Sequence, residues 1–170
     1  VVRSLAPTFG GINLEDIAAP KCFVIEEALQ DLGIPVFHDD QHGTAVVVLA
    51  AMINALKVVK KEFHDIKVVF SGAGASGIAC AKILQVMGVE NIILVDTRGA
   101  IYKGRDNLTP VKEEISKTTN PENVHGDIHV VIKGADVFIG LSTADLLKAE
   151  DIRTMNNDAI VLAMANPMPE

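Results

Sequence analysis

The chain has 170 residues and a formal net charge of −7, and 49% of its residues are hydrophobic. A chain of this length can form one domain with a core of its own, and its acidic, interleaved charges argue against a nucleic-acid or anionic-membrane partner. Two isolated cysteines, Cys22 and Cys80, lie in apolar helical patterns. This use of cysteine is typical of reduced core residues and predicts a cytoplasmic protein.

The first part of the chain predicts a loop, a helix and a strand in that order. Residues 1–19 are expected to be rich in loops. A helix follows, because the apolar residues of KCFVIEEALQDLG recur at helical spacing between Pro20, which suits a first turn, and Gly33, which suits a helix end. IPVF is predicted as a short strand.

A longer, buried helix is predicted next. It begins at Gly43 and Thr44, with Thr44 as its N-cap, and runs to about Lys61. Its apolar stretch TAVVVLAAMINALKVV is interrupted by Asn54 and Lys57, and we interpret it as too short for a membrane span.

The rest of the chain alternates between strands and helices. Four apolar runs without a polar face are predicted as strands of a parallel sheet covered on both sides, namely IKVVFSG, NIILVD, ADVFIG and AIVLAMA. Between them lie the helical or irregular connections SGIACAKILQVMG, LTPVKEEISKTT, HVVIKG and AEDIRTMN. This alternation predicts an α/β fold with a doubly wound parallel sheet.

A glycine-rich loop connects the first of these strands to its helix. GAGASG places Gly72, Gly74 and Gly77 in the pattern GxGxxG, and Asp96 ends the next strand at about the 20-residue distance expected of a ribose-binding acid. A tight turn with no ligand is the alternative. The context favours a Rossmann-type dinucleotide site. Its predicted residues are Gly72, Ala73, Gly74, Ala75, Ser76, Gly77, Asp96 and Arg98.

The choice of cofactor depends on the two charged residues of this set. Asp96 would accept hydrogen bonds from both ribose hydroxyls and repel a 2′-phosphate, which favours NAD. The nearby guanidinium of Arg98 can accommodate NADP instead. We expect NAD, with NADP as the alternative.

Two acidic pairs precede the long helix. GGINLEDI contains Glu15 and Asp16, and FHDDQHG contains Asp39 and Asp40. Neighbouring strand residues point to opposite faces, so the chain has to turn for a pair to converge. Several carboxylates in one cleft need a cation, and hard oxygen ligands suit Mg²⁺ or Mn²⁺. The alternative is structural, with the first pair favoured by a helix dipole and Asp39 acting as a cap.

Two histidines flank the second acidic pair. An oxygen-ligand site does not need His38 or His42, so we interpret both as hydrogen-bonding loop residues.

Five segments in this order resemble the bacterial malic enzymes over essentially the whole chain: SLAPTFGGINLEDI, IPVFHDDQHGTA, VVFSGAGASGIA, LVDTRGAIYKGR and LAMANPMPE. The resemblance implies oxidative decarboxylation of L-malate to pyruvate and CO₂ with NAD(P)⁺ and a divalent cation, by a homo-oligomer (a dimer or tetramer). It also implies a role for several residues. Glu15, Asp16 and Asp40 match the metal ligands, Asp39 supports them, and Asn166 matches a residue that contacts substrate.

The resemblance also divides the chain. We expect residues 1–170 to be a single NAD(P)-binding domain, with a metal-binding edge segment over 1–43 and a Rossmann core over 44–170. The first residue is not Met and the last segment follows an apolar run, so we expect a piece of a longer enzyme.

Proton transfer has no candidate in this chain. The family's tyrosine and lysine pair lies upstream of the matching segments, and the setting of Tyr102 and Lys103, RGAIYKGR, is not the family's tyrosine motif. We therefore assign neither a catalytic role and expect the isolated chain to be inactive.

Three other functions stay open. Malolactic enzyme is a close relative that converts malate to lactate and retains its NAD. A two-domain dehydrogenase of the amino-acid or shikimate type fits less well, because such enzymes need no divalent cation. A non-catalytic nucleotide-binding module is the third.

Overall fold

Seven strands form two separate sheets in the computed structural model, which describes residues 1–170. The strands are β1 (Ile12–Leu14), β2 (Val36–His38), β3 (Lys67–Ser71), β4 (Asn91–Asp96), β5 (Gly99–Ala100), β6 (Val137–Gly140) and β7 (Ile160–Ala163). The α-helices are α1 (Val2–Leu5), α2 (Lys21–Glu27), α3 (Thr44–Val59), α4 (Ala75–Val86), α5 (Pro110–Ser116), α6 (Ile128–Val131) and α7 (Ala149–Arg153).

The main sheet has the strand order β5-β4-β3-β6-β7. All its neighbouring pairs are parallel except β4 and the short edge strand β5. The chain winds outwards from the central β3 in both directions. This arrangement confirms the predicted doubly wound α/β fold of the Rossmann type.

The central strand is buried on both faces. Val68 and Phe70 belong to the larger core, together with residues of α3 and α4. Val69, which points to the other face, packs in a second core with residues of α6. Helices thus cover both faces of the sheet, which explains why the strand reads as an uninterrupted apolar run.

The smaller sheet consists of β1 and β2, paired in parallel, with Leu14 opposite His38. The sequence predicted only loop for residues 1–19, so β1 and the short helix α1 were missed. A strand of three residues between two glycines and an acidic pair carries no readable periodicity.

The long helix begins earlier than predicted. Asp39–Gly43 forms one π-helical turn, hereafter the π segment, which continues directly into α3. The side chain of Thr44 makes no capping hydrogen bond, so the predicted N-cap is wrong. The start was misplaced because the apolar pattern begins only after the π segment. The helix ends at Val59, and Lys60 adopts the left-handed conformation with φ of +57°.

The π segment and α3 together make a helix of 21 residues, Asp39–Val59. By length and composition alone this helix could cross a membrane, although the apolar stretch by itself was predicted to be too short. One of its faces packs on the larger core through Ala45, Val48, Met52 and Leu56. A core helix of a globular domain meets the same criterion.

Both cysteines are free and buried, as predicted. Burial raises the pKa of the Cys80 thiol to about 12. Burial likewise raises the pKa of Cys22. Thiols with raised pKa values are poor nucleophiles, so both act as small apolar core residues.

Candidate functional site

A crevice opens at the carboxyl ends of β3 and β6, where the strand order reverses. It contains a cavity of about 750 Å³. Three loops contribute to its wall, each following a strand of the main sheet. Among the lining residues are Gly72, Ala73, Gly74, Asp96, Arg98, Ser142 and Thr143.

The glycines of the GAGASG loop are required by close contacts. Gly72 has φ of +109°, and a Cβ there would lie 2.8 Å from the carbonyl oxygen of Leu141. A Cβ on Gly77 would lie 2.0 Å from the carbonyl oxygen of Gly72. Gly74 has open space around it and lines the cavity, so a ligand could approach its backbone. The loop ends at the N-terminus of α4, whose free N–H groups suit a phosphate.

Part of the predicted dinucleotide set lies away from the wall. Ala75, Ser76 and Gly77 open α4 but do not line the cavity. The role of each residue in cofactor binding stays a prediction.

Asp96 lies on the cavity wall at the end of β4 and accepts four hydrogen bonds. Its Oδ1 accepts from the backbone N–H of Arg98 at 2.9 Å and from Nη1 of Arg105 at 3.0 Å. Its Oδ2 accepts from Nη2 of Arg105 and from Nζ of Lys112, both at 2.6 Å. Burial alone would raise the pKa of Asp96, but these hydrogen bonds outweigh it and hold the pKa well below its ordinary value.

Arg105 and Lys112 were not found from the sequence. A carboxylate offers about four lone-pair positions, so in this arrangement no free position is left on Asp96 for a ribose hydroxyl. Arg105 ends the segment LVDTRGAIYKGR and Lys112 lies in the short helix α5, but neither was predicted to pair with Asp96. The only available signal was the run of basic residues that follows the acid.

The two acidic pairs follow paired strands. Glu15 and Asp16 come directly after β1, and Asp39 and Asp40 come directly after β2. Because β1 and β2 are parallel neighbours, both pairs leave the small sheet at the same edge. Asp16 has φ of +56°, so the chain turns there, as convergence of the first pair requires.

The side chains at this edge are not gathered into a closed ligand set. No three His, Cys, Asp or Glu side chains come together as a group that could hold a metal ion. The backbone brings the predicted ligands to one edge with carboxylate oxygens, which fits a hard cation in donor chemistry. The metal assignment of Glu15, Asp16 and Asp40 stays a prediction.

The two histidines differ. His38 is fully buried, and neither of its ring nitrogens has a hydrogen-bond partner, so its interpretation as a hydrogen-bonding loop residue is wrong. Its Nε2 lies 3.7 Å from Oδ2 of Asp40. His42 bonds to Oε1 of Glu26 at 2.5 Å, which agrees with the prediction.

The π segment touches the glycine loop directly. The hydroxyl of Ser76, in the first turn of α4, donates a hydrogen bond to the carbonyl oxygen of Asp40. The predicted metal edge and the predicted cofactor loop are therefore neighbours. Asp39 makes no capping hydrogen bond, so the structural alternative of a cap at that position is not observed.

The last residues of the chain form a loop over the ends of β6 and β7. Glu170 accepts from the backbone N–H of Ser142 at 3.0 Å and of Ala165 at 3.1 Å. Asn166, beside this anchor, is exposed and does not line the cavity. Its predicted contact with substrate stays a prediction.

Tyr102 stacks on the ring of His125, with ring centroids 3.8 Å apart. Neither Tyr102 nor Lys103 lines the cavity, so the geometry gives no reason to assign them a role.

This fold and crevice define a dinucleotide-binding domain of the Rossmann type. Residues 41–170 match the family described as "Malic enzyme, NAD binding domain". The chain belongs to this family, which confirms the resemblance seen in the sequence segments.

Relatives extend the match to the whole chain. The chain is 58% identical to the NAD-dependent malic enzyme of Geobacillus stearothermophilus, covering 100% of this chain and 36% of that protein. It is 54% identical to the bifunctional malic/malolactic enzyme of Bacillus subtilis, covering 99% and 42%. A crystal structure of the NAD-dependent malic enzyme of Thermotoga maritima superposes with a TM-score of 0.96 at 48% identity, covering 99% and 46%. The chain thus spans less than half the length of these relatives.

Proposed function

We propose that this chain is the cofactor- and metal-binding part of an enzyme that oxidatively decarboxylates L-malate to pyruvate and CO₂. The observation that carries the proposal is the parallel pairing of β1 with β2, which brings two acidic pairs to one edge. That edge contacts the glycine loop through Ser76 and Asp40. A bound metal ion and a bound dinucleotide would therefore lie close enough to contact the same substrate molecule.

In this proposal the residues of the chain bind and orient. Glu15, Asp16 and Asp40 supply the anionic oxygens for Mg²⁺ or Mn²⁺, and Asn166 contacts the substrate. When bound, the cation supplies Lewis-acid polarisation of substrate oxygens, and the nicotinamide accepts a hydride. The N–H groups at the start of α4 hold the pyrophosphate. No residue described here is assigned to proton transfer, so the isolated chain binds its ligands without turnover.

The proposed cofactor is NAD⁺. Asp96 places a carboxylate at the end of β4, where a ribose would bind, and its charge opposes a 2′-phosphate. NADP⁺ is the second candidate, because Arg98 and Lys112 line the same cavity. Further bacterial relatives are named NADP-dependent malic enzymes.

The cellular location and the oligomeric state of the enzyme belong to the same proposal. Free, buried cysteines support a cytoplasmic location. We propose that the complete enzyme is a homo-oligomer, a dimer or tetramer, with residues 1–43 as the metal-binding edge and 44–170 as the cofactor core.

Replacing each residue of the second acidic pair by alanine in the complete enzyme tests the metal site. We expect Asp40→Ala to abolish turnover and weaken Mn²⁺ binding sharply, because a direct anionic ligand is lost. Asp39→Ala serves as the matched comparison and should weaken Mn²⁺ binding by about 10–100-fold, as loss of a supporting group does. Titration of Mn²⁺ and a melting curve for each variant provide the measurement.

A structural role gives a different result. Loss of a helix cap would cost about 1 kcal/mol of stability and leave Mn²⁺ affinity unchanged. If Asp40→Ala binds Mn²⁺ like the parent and only melts earlier, the metal assignment is wrong.

Malolactic activity is the second candidate function, favoured by the similarity to the bifunctional enzyme of Bacillus subtilis. An assay of the complete enzyme for pyruvate and lactate, with L-malate, NAD⁺ and Mn²⁺ supplied, separates the two reactions.

A further inference from the structure

Glu26, in the last turn of α2, binds the π segment through both carboxylate oxygens. Its Oε2 accepts a hydrogen bond from Nε2 of Gln41 at 2.9 Å, and its Oε1 lies 2.5 Å from Nε2 of His42. The Glu26 side chain is only 13% exposed, and Gln41 is buried. Glu26 is not among the residues proposed above to bind metal, cofactor or substrate.

The geometry of the π segment needs external support. π-helical turns are rare and short, and they occur frequently at functional sites. The turn is also crowded, because a Cβ on Gly43 would lie 2.1 Å from Oδ1 of Asp39. An α-helical continuation of α3 through these residues would redirect every side chain in the turn.

The segment is anchored from two different helices. Glu26 of α2 binds its side chains, and Ser76 of α4 donates to the carbonyl oxygen of Asp40. The two residues that Glu26 binds are the two that directly follow Asp40. A change at Glu26 would therefore alter the direction in which the Asp40 carboxylate points.

We propose that Glu26 is a positioning residue, which holds the π segment in its turn and thereby directs the Asp40 carboxylate to the edge shared with Glu15 and Asp16. The inference rests on the proposed metal site. Glu26 does not line the cavity beside the glycine loop, and it acts through its hydrogen bonds to Gln41 and His42.

The test compares Glu26→Gln with Glu27→Gln in the complete enzyme. Glutamine keeps the size of Glu26 but replaces one acceptor oxygen by an NH₂ group, which can no longer accept a hydrogen bond from Gln41 or His42. The neighbouring Glu27 is exposed, so its variant controls for loss of one negative charge on α2. Both variants are titrated with Mn²⁺ and with NAD⁺ well below their melting temperatures.

We expect Glu26→Gln to weaken Mn²⁺ binding by about 10–100-fold, as outer hydrogen-bond partners of ligands do, and to alter the electron paramagnetic resonance spectrum of bound Mn²⁺. NAD⁺ affinity should stay within about twofold of the parent, since Asp96 and the glycine loop are untouched. Glu27→Gln should bind both as the parent does. A purely structural role would lower the melting temperature and leave the Mn²⁺ affinity and spectrum unchanged, which overturns the inference.

Failure of the proposed function gives a distinct pattern. If Asp40→Ala binds Mn²⁺ like the parent, the metal site itself is wrong. If Asp40→Ala loses Mn²⁺ binding and Glu26→Gln does not, only the role of Glu26 is wrong. Should Glu26→Gln not fold, Gln41→Met and His42→Phe remove the two donors from the other side of the same contact. Unchanged Mn²⁺ affinity in both of these overturns the inference equally.

Discussion

Asp96 and Asp136 are carboxylates of similar burial at opposite edges of the main sheet. Asp96 ends β4 at the carboxyl edge, whereas Asp136 precedes β6 at the amino edge. Asp136 accepts hydrogen bonds from Nζ of Lys61 and the backbone N–H of Lys67, both at 2.9 Å, and from Nδ2 of Asn156 at 3.0 Å. Burial raises the pKa of each acid, and in each the hydrogen bonds outweigh burial and lower it.

The two clusters differ in where their partners come from. The partners of Asp136 follow α3, open β3 and follow α7, so this acid joins distant parts of the chain. The side-chain partners of Asp96 lie within the next 16 residues, at Arg105 and Lys112. Only the cluster around Asp96 borders the cavity. Similar chemistry thus joins distant parts of the fold at one edge and borders a cavity at the other.

The largest effect that this comparison predicts is on stability. Asp136→Ala should lower the free energy of unfolding by about 2–4 kcal/mol, because Lys61 and the N–H of Lys67 lose a partly buried acceptor. NAD⁺ affinity should be unchanged. Urea unfolding and an NAD⁺ titration provide the measurement, with the exposed Asp106→Ala as a control that should resemble the parent. A variant that unfolds like the parent would contradict the structural role of Asp136.

A smaller effect, on cofactor binding, is expected at the other edge. Asp96→Ala in the complete enzyme should raise the Michaelis constant for NAD⁺ by about tenfold, equivalent to one charge-assisted hydrogen bond, and leave use of NADP⁺ equal or better. The stability loss should be below that of Asp136→Ala, because Arg105 keeps the carbonyl oxygens of Gly99 and Ala100 as acceptors. Steady-state kinetics with both cofactors provide the measurement, and unchanged NAD⁺ kinetics would show that Asp96 does not bind the ribose.

The smallest effect is on the pH dependence of stability. A carboxylate whose pKa is lowered by folding contributes stability above its unfolded pKa, and this is lost as pH falls through the folded pKa. Both acids have ordinary values of 3.8 and lower values in the fold. The free energy of unfolding should therefore decrease as pH falls below about 4, and decrease less steeply in Asp136→Asn and in Asp96→Asn. Equal slopes in parent and variants, measured by urea unfolding between pH 5 and 3, would contradict the ionised state of these acids in the fold.

The comparison also shows what sequence can reveal. The four main strands were predicted because long apolar runs are compatible with few other structures. The glycine loop was predicted because Gly72 and Gly77 occupy positions that admit no Cβ, so the motif is visible in the sequence. The partners of Asp96 could not be predicted, because no local pattern indicates that Arg105 and Lys112, 9 and 16 residues further along the chain, fold back onto it. The short strands β1 and β5 were not predicted, because three and two residues are too few to show a periodic pattern.

The helix start was mispredicted for another reason. Thr44 was chosen as a cap because capping residues and apolar periodicity are local signals. The π segment before it is stabilised by Glu26 and Ser76, which are distant along the chain. Local patterns cannot reveal such support. The segment was therefore predicted as a loop, whereas it forms an ordered helical turn.

In the proposed function, the full set of hydrogen bonds on Asp96 makes cofactor capture an exchange. For a ribose hydroxyl to reach the carboxylate, a present donor has to leave, and of the two side-chain donors the Lys112 ammonium, 23% exposed, is nearer to water than the Arg105 guanidinium, 8% exposed. The measured affinity is then the difference between two hydrogen-bonded states rather than the strength of either. Added salt screens the outgoing ion pair more than the incoming neutral contact. Rising ionic strength would therefore favour replacement of the Lys112 ammonium by the ribose hydroxyl at Asp96. Association driven by opposite charges is usually weakened by salt instead.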